Sequence, residues 1–246
     1  MQNIINALKS LNFEISEEQA KKLYHFYELV VEENDKVNLT AITDYSEFVI
    51  KHYVDSLSLY LLKDASFEAV DLLERPDSKV FDLGTGGGFP GIPLAIVFPK
   101  AEYILLDSLQ KRIHFLQAAV AKLSLANVEA IHGRAEDFAR QSDYREQFDL
   151  CVSRAVANLS TLTEYALPFV KVGGYFISYK GAEAEDEIMK AKYAIKALGG
   201  QIDHIEAFDL PTTEFHRTLV IIKKIKSTEN KYPRKAGIPS KKPLAK

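Results

Sequence analysis

The densest chemistry in this chain lies in one run, Asp82-Leu83-Gly84-Thr85-Gly86-Gly87-Gly88-Phe89-Pro90-Gly91. Its glycines let backbone N–H groups come close to a ligand. The run separates a strand-like stretch, Val80-Phe81, from a helix-like stretch near residues 91–98. A loop in that context presents unpaired amides at a helix start. Asp82 closes the strand, where a carboxylate can organise the loop and receive an ammonium group. The next apolar run, Tyr103–Leu106, ends in Asp107, placed to accept hydrogen bonds from ribose hydroxyls. Gly133-Arg134-Ala135-Glu136 follows a third such run and Ser153-Arg154-Ala155-Val156 a fourth. Ligands of open α/β sheets sit at the carboxyl ends of the strands, so these residues converge on one crevice.

Two readings of the loop compete. From Asp82 it is D-x-G-x-G-x-G, a loop that holds S-adenosylmethionine in methyltransferases. From Gly86 it is G-x-G-x-x-G, the dinucleotide pattern. Asp82 favours the first reading, because a dinucleotide loop needs no acid there. Pro90 and Pro93 suit a helix start, where a missing N–H is tolerated. Asp107 suits either ligand. Methyl transfer from a sulfonium is an in-line displacement that needs alignment above all. Exocyclic amine acceptors are usually served by an N/D-P-P-Y/F/W motif after the fourth strand, and the chain has Ser153-Arg154-Ala155-Val156 instead. A pyrimidine acceptor needs a cysteine nucleophile, whereas Cys151 lies inside an apolar run and reads as a core residue. A ring nitrogen such as guanine N7 needs orientation and no general base, and Arg154 suits that task. The six histidines show no metal-ligand spacing, and no P-loop lysine or G-x-S-x-G elbow occurs.

The elements that must position these residues follow from periodicity. Ser16 and Gln19 have capping-box spacing, and Ala20, Leu23, Tyr24, Tyr27, Val30 and Val31 recur at helical period up to Asn34-Asp35. Residues 1–65 show no competing strand alternation. From Lys79 short apolar runs alternate with helical stretches, which predicts an open, mostly parallel sheet with helices on both faces. Gln201–Leu210 and His216–Lys224 are joined too closely for a parallel crossover, so the last pair is antiparallel. The expected fold is α/β: a Rossmann-like, mostly parallel seven-stranded sheet with an antiparallel final strand, behind an N-terminal helical segment.

Composition sets the outer bounds. With 246 residues, 47% hydrophobic and 26% charged, the chain is neither disordered nor a disulfide scaffold. One cysteine permits no internal disulfide and fits a reducing cytoplasm. No secretory signal or membrane span is expected. The formal net charge of −3 conceals a division. Residues 223–246 hold nine basic residues and one acid, leaving the preceding 222 residues at −11. Such a segment meets phosphates, with Tyr232 as a stacking surface, or is a solvated terminus. The expected organisation is a helical cap at 1–70, a catalytic domain at 71–225 and a basic RNA-contacting tail at 226–246.

Taken together, Asp82–Ile96, Asn38-Leu39-Thr40, His52-x-x-Asp55-Ser56, Leu106-Asp107-Ser108 with Lys111-Arg112, Gly133-Arg134-x-Glu136, Ser153-Arg154-Ala155 and Tyr232-Pro233-Arg234-Lys235-x-Gly237-x-Pro239 closely resemble the GidB (RsmG) family. That family methylates guanine N7 in bacterial 16S ribosomal RNA. The resemblance implies a class I methyltransferase using S-adenosyl-L-methionine, with Gly84, Phe89, Asp107, Ala135, Glu136 and Arg154 at the cofactor and Arg154 also catalytic. It implies Asn38, Thr40, His52, Asp55, Lys180, Arg234 and Lys235 at guanosine or RNA. It further implies a cytoplasmic monomer acting on 16S RNA or a small-subunit particle, with no metal and no membrane partner. A small-molecule methyltransferase, a dinucleotide oxidoreductase and a non-catalytic RNA-binding protein are the competing expectations.

Overall fold

Strand β1 (Lys79–Leu83) is an interior strand of a seven-stranded sheet, flanked by β2 (Glu102–Asp107) and β4 (Phe148–Arg154). With β3 (Val128–His132), β5 (Val170–Lys180), β6 (Gly200–Asp209) and β7 (His216–Lys224), the order is β3-β2-β1-β4-β5-β7-β6. Strands β1 to β5 pair in parallel, and β7 runs antiparallel to both β5 and β6, as the short β6–β7 link requires. The strand order reverses between β1 and β4, the switch point at which such sheets open a crevice. This computed structural model describes residues 1–65, 68–154, 157–182, 184–211 and 213–245. Ala155 and Val156 of the fourth-strand motif, and Lys246 of the tail, lie outside the described residues.

Strand alternation divides the interior into two cores. In β4, Leu150 and Val152 enter one core and Cys151 the other. In β5, Tyr175, Ile177 and Tyr179 face opposite to Phe176. A period of two thus fills both faces with apolar side chains, and no face of the central strands is left to water. The second core is completed by α9 (Leu159–Ala166) and α10 (Glu185–Ala197). The first is completed by α6 (Gly91–Val97), α7 (Gln110–Lys122) and the N-terminal helices.

Those N-terminal helices are α1 (Gln2–Lys9) and α2 (Glu17–Val37), followed by a run that begins as α3 (Tyr45–Phe48). The run widens into a π-helical turn over Val49–Val54, resumes as α4 (Asp55–Leu57) and tightens to a 3₁₀ helix over Ser58–Ala65. Ser16 and Gln19 form the expected capping box, and the Gln19 amide also donates to Val97 O at 2.8 Å, capping the end of α6. The α2 helix does not stop at Asn34-Asp35. It continues to Val37 and closes at Asn38, which is left-handed (φ 56°). The Asn34 carboxamide oxygen accepts instead from the Leu39 and Thr40 amides, both at 2.9 Å, and so shapes the turn beyond the helix.

The C-terminal segment corrects the expectation of a separate tail. Arg145 donates to Thr228 O (2.7 Å) and Tyr232 O (3.0 Å), Arg140 donates to Pro233 O, and Thr161 Oγ1 donates to Pro239 O (3.0 Å). Lys224 is fully buried, donates to Leu167 O and Val170 O, and pairs with Glu146 at 3.0 Å. Burial pulls its ammonium down to a pKa of about 8. Tyr232 is buried in the second core and offers no free stacking face. Arg234 clasps Glu164, whose side chain is wholly buried, through Nε (2.9 Å) and a second guanidinium nitrogen (2.6 Å). Arg234 therefore clamps the C-terminal segment to α9. Short α11 (Ile238–Lys241) follows it.

Removing one partner of a buried ion pair leaves a desolvated charge, at a cost of about 3–5 kcal/mol. Arg234→Ala is therefore expected to lower unfolding free energy by that order in urea titrations. An unchanged midpoint would show that the segment is a loose tail after all.

Candidate active site

The glycine loop is organised from below by Asp82. This side chain is fully buried, and its Oδ2 accepts from Thr85 Oγ1 at 2.7 Å and from the Gly91 amide at 2.8 Å. The strand end, the loop and the first turn of α6 are thus tied to one carboxylate. Gly91 has no substitute here, because a Cβ would lie 2.5 Å from Asp82 Oδ2. Burial raises the Asp82 pKa to about 6. The other oxygen, Oδ1, is buried with no hydrogen-bond partner among the described residues. A buried carboxylate oxygen beneath a glycine loop, left without a partner, suits a cationic amine such as the ammonium of S-adenosylmethionine.

The loop is bound to β2 through Gly84 N and Thr85 N, which donate to Leu106 O at 2.8 and 3.0 Å. Asp107 accepts from Gly86 N (2.9 Å) and Leu109 N (2.8 Å) and pairs with Arg112 at 3.5 Å, and a carboxylate has further lone pairs that can accept from hydroxyl donors. Beside it opens a cavity of about 380 Å³, within the range of small-molecule sites. Gly84, Asp107, Ala135 and Glu136 all line it, and so do Tyr165 and, from the C-terminal segment, Gly237 and Ser240. Glu136 sits at the start of α8 (Ala135–Phe138) and accepts from the Gly237 amide at 3.0 Å, which fixes that segment against the cavity. The lining fits the cofactor, with an acid for ribose and small residues for a flat ring, and the orphaned Asp82 oxygen lies one residue before the lining Leu83.

A second cavity, of about 360 Å³, lies at the end of β4 and is lined by Ile42, Lys51, His52, Asp55, Arg154, Tyr179, Lys180, Gly181 and Arg217. Arg154 donates to Lys51 O and Asp55 Oδ2, each at 3.0 Å, and lies 3.0 Å from His52 Nδ1. The other Asp55 oxygen accepts from Arg217 Nε at 2.9 Å. Asp55 is only 2% exposed, so both ion pairs are shielded from water. His52 Nε2 lies 2.7 Å from Thr40 Oγ1, and its ring stacks on Phe89 with centroids 4.3 Å apart. Burial first, then the neighbouring Arg154 and Lys51 cations, depress the His52 pKa to about 3. The imidazole is therefore neutral at physiological pH. The π-helical turn carries Lys51 and His52 and delivers Asp55 at its end, a common use of such turns.

Several expected residues meet at these cavities and others do not. Gly84, Asp107, Ala135 and Glu136 line the first cavity, while His52, Asp55, Arg154 and Lys180 line the second. Phe89 lines neither. Its ring packs against Phe26, Phe48 and Tyr53 as well as His52, with the Arg154 guanidinium carbon 5.2 Å from its centroid. Asn38 is an exposed helix cap, and Thr40 acts through His52. Lys180 donates to Ala157 O and Glu187 Oε1, both at 2.7 Å. Lys235 is exposed. Sequence reasoning missed Lys51, Arg217, Tyr165 and Ser240. Arg217 could have been flagged only by the register that pairs Lys180 with Thr218. Among the described residues, no three metal-ligating side chains gather, and no helix is long and apolar enough to cross a membrane.

The depressed His52 pKa has a definite consequence. The unfolded chain takes up a proton at about pH 6.5 and the folded chain does not until about pH 3. This contribution to stability is complete above pH 6.5 and is lost as pH falls towards 3. Between pH 6.5 and pH 5 the loss is about 2 kcal/mol. Urea titrations across that range should show a shallower acid dependence in His52→Gln than in the wild type. Parallel slopes would contradict the buried neutral imidazole.

Comparison with known proteins places this architecture. The curated ribosomal RNA small subunit methyltransferase G of Alkaliphilus oremlandii is 48% identical over 236 residues, covering 96% of this chain and 95% of that protein. The namesake from Lachnoclostridium phytofermentans is 46% identical over 240 residues, covering 98% and 96%. Among solved structures, TrmN from Thermus thermophilus shares the fold at TM-score 0.51 and 16% identity, covering 72% of this chain and 53% of that one. The sequence model of GidB, described as rRNA small subunit methyltransferase G, matches residues 19–217. With a match of that extent and relatives that span nearly the whole chain, this protein belongs to the GidB family.

Proposed function

We propose that the chain transfers a methyl group from S-adenosyl-L-methionine to N7 of a guanosine in 16S ribosomal RNA, acting in the cytoplasm as a monomer on the RNA or a small-subunit particle. The observation that carries this reading is the fixed Arg154 at the second cavity, one strand away from the glycine loop. Family membership supports the RNA substrate, and the orphaned Asp82 oxygen, Asp107 and Glu136 support the cofactor. When bound, S-adenosylmethionine supplies a sulfonium methyl open to in-line displacement.

The residues of the chain then have positioning work to do. Guanine N7 already carries a lone pair, so no proton need be removed from it. A neutral, hydrogen-bonded His52 is consistent with that economy. Three acceptors hold the Arg154 guanidinium, which leaves two of its five N–H groups for the guanine edge. A guanidinium that donates to O6, beside N7, or stacks on the base orients guanine and leaves the N7 lone pair free for the methyl group. Misplacement of an aligned acceptor by about 1 Å costs roughly 100-fold in rate.

Incubation of the chain and labelled donor with 16S RNA and with small subunits, followed by nucleoside analysis, is expected to yield 7-methylguanosine. Arg154→Ala should lower that rate by about 100-fold while S-adenosylhomocysteine still binds in calorimetry. Calorimetric binding of NAD without S-adenosylhomocysteine would overturn the proposal.

A further inference from the structure

One aromatic side chain is left in the open beside the second cavity. Phe215 lies in the link between β6 and β7 and is 42% exposed. Its position is nevertheless held. Its carbonyl accepts from Leu210 N at 2.9 Å, its amide donates to Thr213 Oγ1 at 3.2 Å, and Thr213 N donates to Leu210 O at 3.1 Å. Leu210 is completely buried and anchors the turn in the first core. The ring is thus displayed on a fixed backbone.

One neighbour is a cation. The Lys51 ammonium lies 4.2 Å from the centroid of the Phe215 ring and is paired with the half-exposed Glu47 carboxylate, and Lys51 also lines the second cavity and offers its carbonyl to Arg154. Two residues further along, Arg217 lines the same cavity. An exposed ring interleaved with cations is the arrangement that receives unstacked bases of single-stranded RNA. A scattered exposed apolar residue is ordinary on a protein surface and needs no partner. Here the backbone that carries the ring is held by hydrogen bonds, and the ring lies under the ammonium of Lys51, a residue that lines the second cavity.

We infer that Phe215 is a base-stacking platform for the nucleotide next to the target guanosine, with Lys51 at the adjoining phosphate. The inference rests on the proposed RNA methylation and names a substrate contact within it. The competing account is that the ring merely covers the aliphatic stem of Lys51. Leucine would preserve that cover without a π face, and tyrosine would preserve the π face.

Steady-state methylation of 16S RNA and of small subunits by the wild type, Phe215→Tyr, Phe215→Leu, Phe215→Ala and Lys51→Ala separates the two. Stacking predicts a KM for RNA raised roughly 5- to 150-fold in Phe215→Ala and Phe215→Leu, with kcat within about twofold and Phe215→Tyr close to wild type. S-adenosylhomocysteine affinity should be unchanged in each, which also reports that the variants fold. Lys51→Ala should flatten the salt dependence of RNA binding by about one phosphate, and Phe215→Ala should not. Phe215→Leu with wild-type KM, or Phe215→Ala within about twofold of wild type, would overturn the inference. A wild type that forms no 7-methylguanosine on either substrate would instead overturn the proposed function, and this contact with it.

Discussion

A carboxylate almost sealed from water, Asp55, holds the acceptor side of this molecule together. It lies between Arg154 at the end of β4 and Arg217 at the start of β7, at 3.0 and 2.9 Å, and it comes from the helical run that precedes the sheet. Three distant stretches of chain thus share one charge. Removal of any partner strands a buried charge, so the arrangement is costly to break even where its net contribution to stability is modest. It also accounts for a neutral histidine beside the guanidinium. His52 is desolvated by the same packing and faces the cations that Asp55 gathers.

The cofactor side uses the opposite economy. Among the described residues Asp82 has no cationic partner within hydrogen-bond reach, and burial outweighs its bonds from one hydroxyl and one amide and lifts its pKa to about 6. A group so placed is strained towards its neutral form, and a bound ammonium would relieve that strain. The two halves of the crevice therefore divide the electrostatic work. One carboxylate is saturated and rigidifies the acceptor wall, while the other keeps an oxygen in reserve.

The C-terminal segment changes the charge picture. Its net positive charge suggests a free arm, yet Lys224 is buried, Arg234 is bound to Glu164, and Gly237 and Ser240 form cofactor-cavity wall. The cations that stay on its surface, such as Lys235, Lys241 and Lys242, are displayed by the segment whose Gly237 and Ser240 line the first cavity. The ordering entropy of that segment is met on folding.

The amino-acid sequence by itself determined the alternation of strands and helices, the antiparallel last pair, the glycine loop with Asp82 and Asp107, and Arg154 at a strand end. These depend on local period, on glycine and proline chemistry, and on the rule that parallel strands point their ends into one crevice. Only the tertiary structure decided which charges are free. Arg234 and Lys235 are adjacent and alike in sequence, but one meets a buried carboxylate 70 residues away and the other meets water. Phe89 is a cofactor contact by the family resemblance, and only the structure shows that its ring packs against Phe26 and His52 of the N-terminal helices. Arg217 acquires meaning only from the pairing of β7 on β5, which brings it to the Asp55 carboxylate that also holds Arg154, and Phe215 only from its contact with Lys51. Pairing and burial are set by contacts between residues far apart in the chain, and no local pattern encodes them.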